Sequence, residues 1–249
     1  MGCESTSLFL ELPRLARELH AVLPGYALLK MASGSAMSGL TGSDPDEVDR
    51  LIARIGSTGG PAYAAMRAWN VLIWQPVLVS VLCAEAEGRV AEVDRASYLM
   101  GPQFGCSLGQ VPERAEDARN AAARHLDRTT TAILGALSQR LCLRPELARR
   151  QMADRVLSVL DRRAMLGFAT VEATRLAVAD WLAALDLEGL SALEPMPLES
   201  GAEGLWLCRR SCCLEYRASP DFLCATCPRR ARASRIALSQ KEWQAHVRA

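Results

Sequence analysis

Cys212 and Cys213 stand side by side, ten residues follow, and Cys224-Ala225-Thr226-Cys227-Pro228 completes a pattern that few local structures can satisfy. In the second half, two intervening residues let the backbone turn so that both thiolates reach one centre. The exposed N–H groups of such a loop can donate to the sulfurs, and Pro228 ends the loop without needing a donor of its own. The first half is harder, because neighbouring side chains on a regular strand point to opposite faces. Both thiolates can ligate only if the chain turns there or if the centre has spatial extent. A two-iron cluster has extent, whereas a Zn²⁺ ion is a point, and structural zinc sites usually carry a spaced cysteine pair at both ends. The pattern favours an iron–sulfur centre, with a structural zinc site of four cysteine ligands as the alternative.

The other cysteines sharpen this reading. Of nine in the chain, five fall from Cys208 onward. A disulfide framework belongs to small secreted domains, and clustered cysteines in a longer chain point to metal or catalysis. The first residues lack a basic segment followed by an apolar run, so no secretory signal is expected. They do fit the loose myristoylation pattern through Gly2 and Thr6. Cys3, Cys83, Cys106 and Cys142 sit in apolar or isolated settings and are expected as small hydrophobes. Cys208 is expected as a buried residue of a strand over 204–209.

The 249 residues are enough for a hydrophobic core, and the net charge of +1 gives no support to generic nucleic-acid binding. Lys30 and Lys241 are the only lysines among 29 basic residues. A GC-rich genome accounts for that bias, although some arginines can instead fork onto carboxylates or anionic ligands. From Cys208 onward there are nine basic and three acidic residues, a net of +6. Within that excess, Arg209, Arg210, Arg229 and Arg230 flank the cysteines. They are candidates for raising a cluster potential, attracting anionic complexes or docking an acidic electron donor, against the plainer reading of a solvated tail.

Most of the chain reads as helix. Pro13 opens a segment with Leu12, Leu15, Leu19 and Leu23 near one face, and Pro24 closes it. Residues 33–42 form a Ser/Gly/Met stretch expected as a loop. Ser43-Asp44-Pro45 caps a helix with Val48, Leu51, Ile52 and Ile55 on one stripe, stopped by Gly56. The helix that begins at Gly59-Gly60-Pro61 is apolar nearly all round, hence central and buried, and Pro76 is expected to break or kink it. Its apolar run around residues 71–84 falls short of the ~20 residues needed to span a bilayer and is read as core. Residues 88–110 are the least helical part, with a possible strand over 89–94 and turns at Gly101-Pro102 and Gly105.

Long helices are expected over 112–141, from Pro145, and over 170–185. Pro195 and Pro197 then mark residues 193–204 as a linker, with a domain boundary near 200. The fold class is mainly α, with α+β as a possibility. A helical body (1–200) precedes a small cysteine-rich iron–sulfur module (201–249).

The skeleton Cys212-Cys213-x10-Cys224-x2-Cys227-Pro228, preceded by Arg209-Arg210 and followed by Leu214-Glu215-Tyr216, resembles the C-terminal signature of the FhuF-type siderophore ferric-iron reductases. All four cysteines match without insertion, and the resemblance covers about twenty residues, the rest of the chain matching by layout alone. It implies a [2Fe–2S] cluster on these four cysteines and a siderophore-binding region in the body over 1–200. The implied activity is one-electron reduction of a ferric siderophore, of hydroxamate type, in the bacterial cytoplasm, with any membrane association peripheral. A ferredoxin- or flavin-reductase-like donor would supply the electrons, with no nucleic-acid partner and no stable membrane insertion.

Such chemistry needs no Ser/His/Asp arrangement, and His20, His125 and His246 are scattered. The 33–42 stretch, Trp69, Trp74 and Trp206 are conceivable pocket walls, although tryptophans usually serve the core. Two further alternatives remain open. One is an iron–sulfur redox sensor or electron-transfer protein, for which no helix-turn-helix supports nucleic-acid contact. The other is a helical enzyme of siderophore assembly, for which no phosphate-cradling glycine motif is present.

Overall fold

Capping signals place the first helices. Helix α1 (Pro13–Val22) starts at its proline and buries Leu15 and Leu19. Helix α2 (Pro45–Ile55) starts where the Asp44 carboxylate accepts from the N–H groups of Asp46 and Glu47, and it ends at Gly56, whose φ of 69° favours glycine. The structure, a computed structural model, describes residues 6–30, 41, 44–99 and 104–247. The start of the chain with Gly2 and Cys3, the Ser/Gly/Met stretch apart from Thr41, Ser43 and the turn at Gly101-Pro102 lie outside the described residues.

Helix α3 (Gly60–Glu87) is the axis of the molecule, 28 residues long and buried over most of its surface. It runs through Pro76 unbroken, against the expected break. A mid-helix proline costs roughly 3 kcal/mol, and burial of the surrounding apolar turns against α1, α2 and two later helices outweighs that. The apolar segment is also longer than the sequence suggested: by length and composition α3 could cross a membrane, but 83% of its apolar window is buried inside the protein.

A mixed sheet grows beside α3. Strands β1 (Thr6–Ser7), β2 (Ala27–Lys30), β4 (Ser97–Leu99) and β5 (Gly105–Leu108) form it in the order β1-β2-β5-β4, with β2 and β5 parallel. Gly105 is required at the crossing, since a Cβ there would lie 2.7 Å from the Ala27 carbonyl oxygen. The strand expected over 89–94 shrinks to β3 (Arg89–Val90), paired with β6 (Glu113–Arg114). Because β6 takes those residues, α4 (Ala118–Ser138) begins later than Pro112, capped by Asp117. Helices α5 (Pro145–Met165) and α6 (Val171–Ala184) follow as expected, with Thr170 capping α6.

Residues 193–204 are not a linker. They belong to a hairpin of β7 (Ala192–Pro197) and β8 (Glu203–Cys208), in register from Ala192 opposite Cys208 to Pro197 opposite Glu203. Prolines are tolerated because β7 has one partner only and can turn its donor-free positions outward. Helix α7 (Arg232–Val247) packs on β8, where the sequence suggested a solvated tail. Its Trp243 joins Met165, Met196, Leu205 and Trp206 in a second apolar cluster. The protein is mainly α, 58% helix against 12% strand.

A buried charge network locks the body. Arg163 of α5 donates to both carboxylate oxygens of Glu18 of α1, at 2.6 and 3.0 Å, and sits 3.5 Å from Glu85 of α3. Burial alone would lift the Glu85 carboxyl, but hydrogen bonds from Arg119 and Trp181 carry it below the usual range. Removing one partner of a buried pair leaves an uncompensated charge. Glu18→Ala should therefore cost about 3–5 kcal/mol in urea unfolding, whereas Glu18→Met combined with Arg163→Met should recover most of that loss.

Candidate metal centre

The four cysteines arrive on two loops. The chain leaves β8 at Cys208, and after Cys213 it bends sharply: Leu214 takes φ +64°, in the left-handed region that costs a non-glycine residue roughly 1–2 kcal/mol. This bend answers the difficulty of adjacent cysteines. It turns the Leu214 N–H onto Cys212 Sγ at 3.4 Å and lets the Glu215 N–H serve Cys213. The second loop closes with the Cys227 N–H donating to the Cys224 carbonyl at 3.1 Å.

The thiols meet across the loops. Cys213 faces Cys224, and Cys212 faces Cys227. The neighbouring Cys224 thiol pushes the Cys213 thiol down to about 5 against its burial, with help from the Glu215 N–H and Arg209. Cys213 in turn holds the Cys224 proton on, and burial pushes Cys212 up. Cys227 is 2% exposed.

Among the described residues, no three His, Cys, Asp or Glu side chains converge as ligands of a single metal ion would. Two thiol pairs with backbone donors are a donor set that fits a centre of some extent held by four thiolates, and they fit a point ion less well.

Arg209 binds this site to the body. Its side chain is 11% exposed; Nε donates to Asp154 Oδ2 at 2.8 Å, a terminal nitrogen donates to Gln151 Oε1 at 2.8 Å, and the other lies 3.6 Å from Cys224 Sγ. Burial pushes the Asp154 carboxyl up while Arg209 pulls it back, and that carboxylate holds the guanidinium protonated against its own burial.

The other expected arginines do not form one free patch. Arg230 donates to the carbonyls of Cys224 (3.0 Å) and Leu223 (2.6 Å), so it shapes the second loop. The Arg229 guanidinium stacks 4.0 Å over the Tyr216 ring, and Arg210 is exposed with a 2.6 Å hydrogen bond to the Gly189 carbonyl. Trp69 and Trp206 are core. His125 pairs with Asp94 at 2.6 Å.

Beside the Cys213/Cys224 pair opens a cavity of about 440 Å³ with Arg67, Asn70, Arg155 and Phe222 in its walls. A second, of about 380 Å³, shares Arg155, Ser158, Leu207 and Thr226 with it and continues to Leu23, Trp74, Val77 and Leu78. A larger open depression of about 680 Å³ at Glu85, Arg119 and Asp180 holds no cysteine. Of the cavity walls, the sequence suggested Cys213, Cys224, Arg209 and Trp74. Arg67, Asn70 and Arg155 lie on helices that read as plain amphipathic or core segments.

The chain matches no protein-family model, and no solved structure matches it.

Asp161, in the wall of the second cavity, is pushed up to about 7 by burial, only partly offset by the Trp243 indole N–H at 3.3 Å. The folded protein keeps this proton where the unfolded chain, near its ordinary 3.8, has lost it. The stabilisation is therefore full at low pH and is lost as pH rises towards about 7. Urea midpoints should show wild type losing stability relative to Asp161→Asn from about pH 4 to about pH 7, and a constant difference above that.

Proposed function

We propose that this protein is a ferric-siderophore reductase of the bacterial cytoplasm, in which Cys212, Cys213, Cys224 and Cys227 hold a [2Fe–2S] cluster. The observation that carries the reading is the placement of an all-thiol site, in two pairs, with one pair opening on an arginine-lined cavity of ligand size. When bound, the cluster supplies one electron at a time. Around it the chain supplies negative-charge stabilisation: the Leu214 and Glu215 N–H groups face the Cys212 and Cys213 sulfurs, and the Arg209 guanidinium faces Cys224.

The proposed substrate chemistry asks little of the cavity beyond binding and a nearby electron source. Siderophores hold Fe(III) through hard oxygen donors that bind Fe(II) far less well, so one electron releases the metal without a general acid or a nucleophile. A ferredoxin- or flavin-reductase-like donor supplies that electron, and each turnover converts one Fe(III) to Fe(II). Any association with the inner membrane is peripheral, and α3 serves as the core helix.

Anaerobic purification followed by visible absorption and EPR tests this. The protein should be brown, give an EPR signal after dithionite, and lose that signal when a ferric siderophore is added. Cys224→Ser should lose the visible absorption and the reductase activity together. A colourless protein with stoichiometric zinc would overturn the reading.

A further inference from the structure

We infer that the cavity on Cys213 and Cys224 selects ferric complexes that carry negative charge, and that Arg155 is the side chain that reads it. This inference rests on the reductase reading for its iron-bound ligand, and it departs from the hydroxamate type that the sequence resemblance implies. Three hydroxamates cancel the charge of Fe(III) and leave a neutral complex, whereas catecholate or hydroxycarboxylate donors leave the complex anionic.

The three wall arginines are matched differently. Arg209 is committed to Asp154 at 2.8 Å and to Gln151. Arg67 has Glu215, a longer pair at 3.7 Å. Arg155 pairs with no carboxylate among the described residues, and its guanidinium makes one hydrogen bond, Nε to Asn70 Oδ1 at 3.3 Å. Asn70 is itself fixed, donating to the Met66 carbonyl at 2.9 Å. Burial and the neighbouring Arg209 both work against the charge on Arg155, while Cys213 and Asp154 favour it. An arginine in this state keeps its proton and leaves most of its donors unused. A half-buried cation with idle donors in a cavity wall is a place for an anion, since a forked pair with a carboxylate or a phenolate satisfies both charge and geometry.

The position of Arg155 fits that role. It is shared by both cavities, at the join between the compartment on the thiols and the one lined by Trp74, Val77 and Leu78. The iron and its charged donors belong in the first compartment, near Cys213 and Cys224, and the organic arms belong along the apolar walls of the second. Each volume, about 440 and 380 Å³, lies in the usual ligand-site range of roughly 300–1,000 Å³.

The experiment uses the intact protein with its centre in place and the redox-inert Ga(III) complexes of a tris-catecholate and a tris-hydroxamate. Binding is followed by tryptophan fluorescence, with Trp74 in the wall as reporter, and by calorimetry. The anionic complex should bind about tenfold tighter or more, and Arg155→Met should remove most of that preference while Arg155→Lys keeps part of it. Equal or tighter binding of the neutral complex by wild type would overturn the inference, and that comparison needs no variant to fold. So would an Arg155→Met protein that keeps the preference but changes the EPR spectrum of the centre, since Arg155 would then serve the cluster. Because Ga(III) accepts no electron, the two readings fail separately. Tight binding of the anionic complex without reduction of its Fe(III) form would sink the reductase reading and leave the binding site standing. Reduction of neutral complexes with no preference by charge would do the reverse.

Discussion

Arg209 reaches from the end of β8 into α5, where Nε meets Asp154 at 2.8 Å, and its remaining nitrogens face Gln151 and Cys224. A guanidinium and a carboxylate this far from solvent stay charged only while each has its partner, because an unmatched charge there costs several kcal/mol. The neighbours meet that condition in detail. Ser191 donates to the other Asp154 oxygen at 2.6 Å, and Gln151 Nε2 donates to Ser211 Oγ at 2.7 Å. The strand that precedes the cysteines, the turn before β7 and the middle of α5 are thereby held in one register. The cysteine loops are fixed against the helical body through polar contacts, whereas their apolar packing is modest: Leu214 is only partly buried and Phe222 is 53% exposed.

The same constraint explains why three arginines in one cavity behave differently. Arg209 has a full set of partners and so serves structure and the sulfur of Cys224. Arg67 and Tyr63 of α3 share Glu215, the residue that follows the Leu214 bend, so α3 as well as α5 grips the first cysteine loop. Arg155 lies between these two grips, with Asn70 as its one hydrogen-bond partner among the described residues. The cavity wall that α3 and α5 present to the cysteine loops is polar and charged, made of Arg67, Asn70, Gln151, Asp154 and Arg155.

The helical body was legible because its signals are local. Asp44, Gly56, Thr170 and the prolines at helix starts act within a turn, and the stripes on α1, α2 and α5 repeat within a few residues. What stayed hidden depends on partners distant in sequence. Pro195 and Pro197 forbid helix and are silent on strand, so only the facing residues 203–208 make β7 a hairpin arm. The Pro76 break was overruled by burial on all sides of α3. Helix α7 carries a faint signal of its own, Ile236, Gln240 and Trp243 at helical spacing within a basic segment. For the site, the four cysteines announced themselves by spacing, but Asp154, Arg155, Asn70 and Arg67 are helix residues whose meeting with the thiols is set by the packing of α3 on α5.

The bend at Leu214 belongs to neither category. No residue type marks it, since leucine is a poor occupant of the left-handed region and glycine or asparagine would be the usual choice. The conformation persists because the surrounding structure determines it: the Leu214 N–H is taken by Cys212, the Glu215 N–H by Cys213, and the Glu215 carboxylate by Tyr63 and Arg67. Strain of this size, held by contacts on every side, accumulates where side chains must be aimed. Here it splits two adjacent thiols between two partners. Cys212 is paired with the buried Cys227 and Cys213 with Cys224 in the wall of the cavity. Of the four sulfurs only that of Cys227 belongs to a buried residue, and Cys213 and Cys224 line the cavity. On the proposed reading, an electron leaving towards a ligand beside Arg155 would pass from the Cys213 and Cys224 side, because those two thiols share the cavity wall with Arg155.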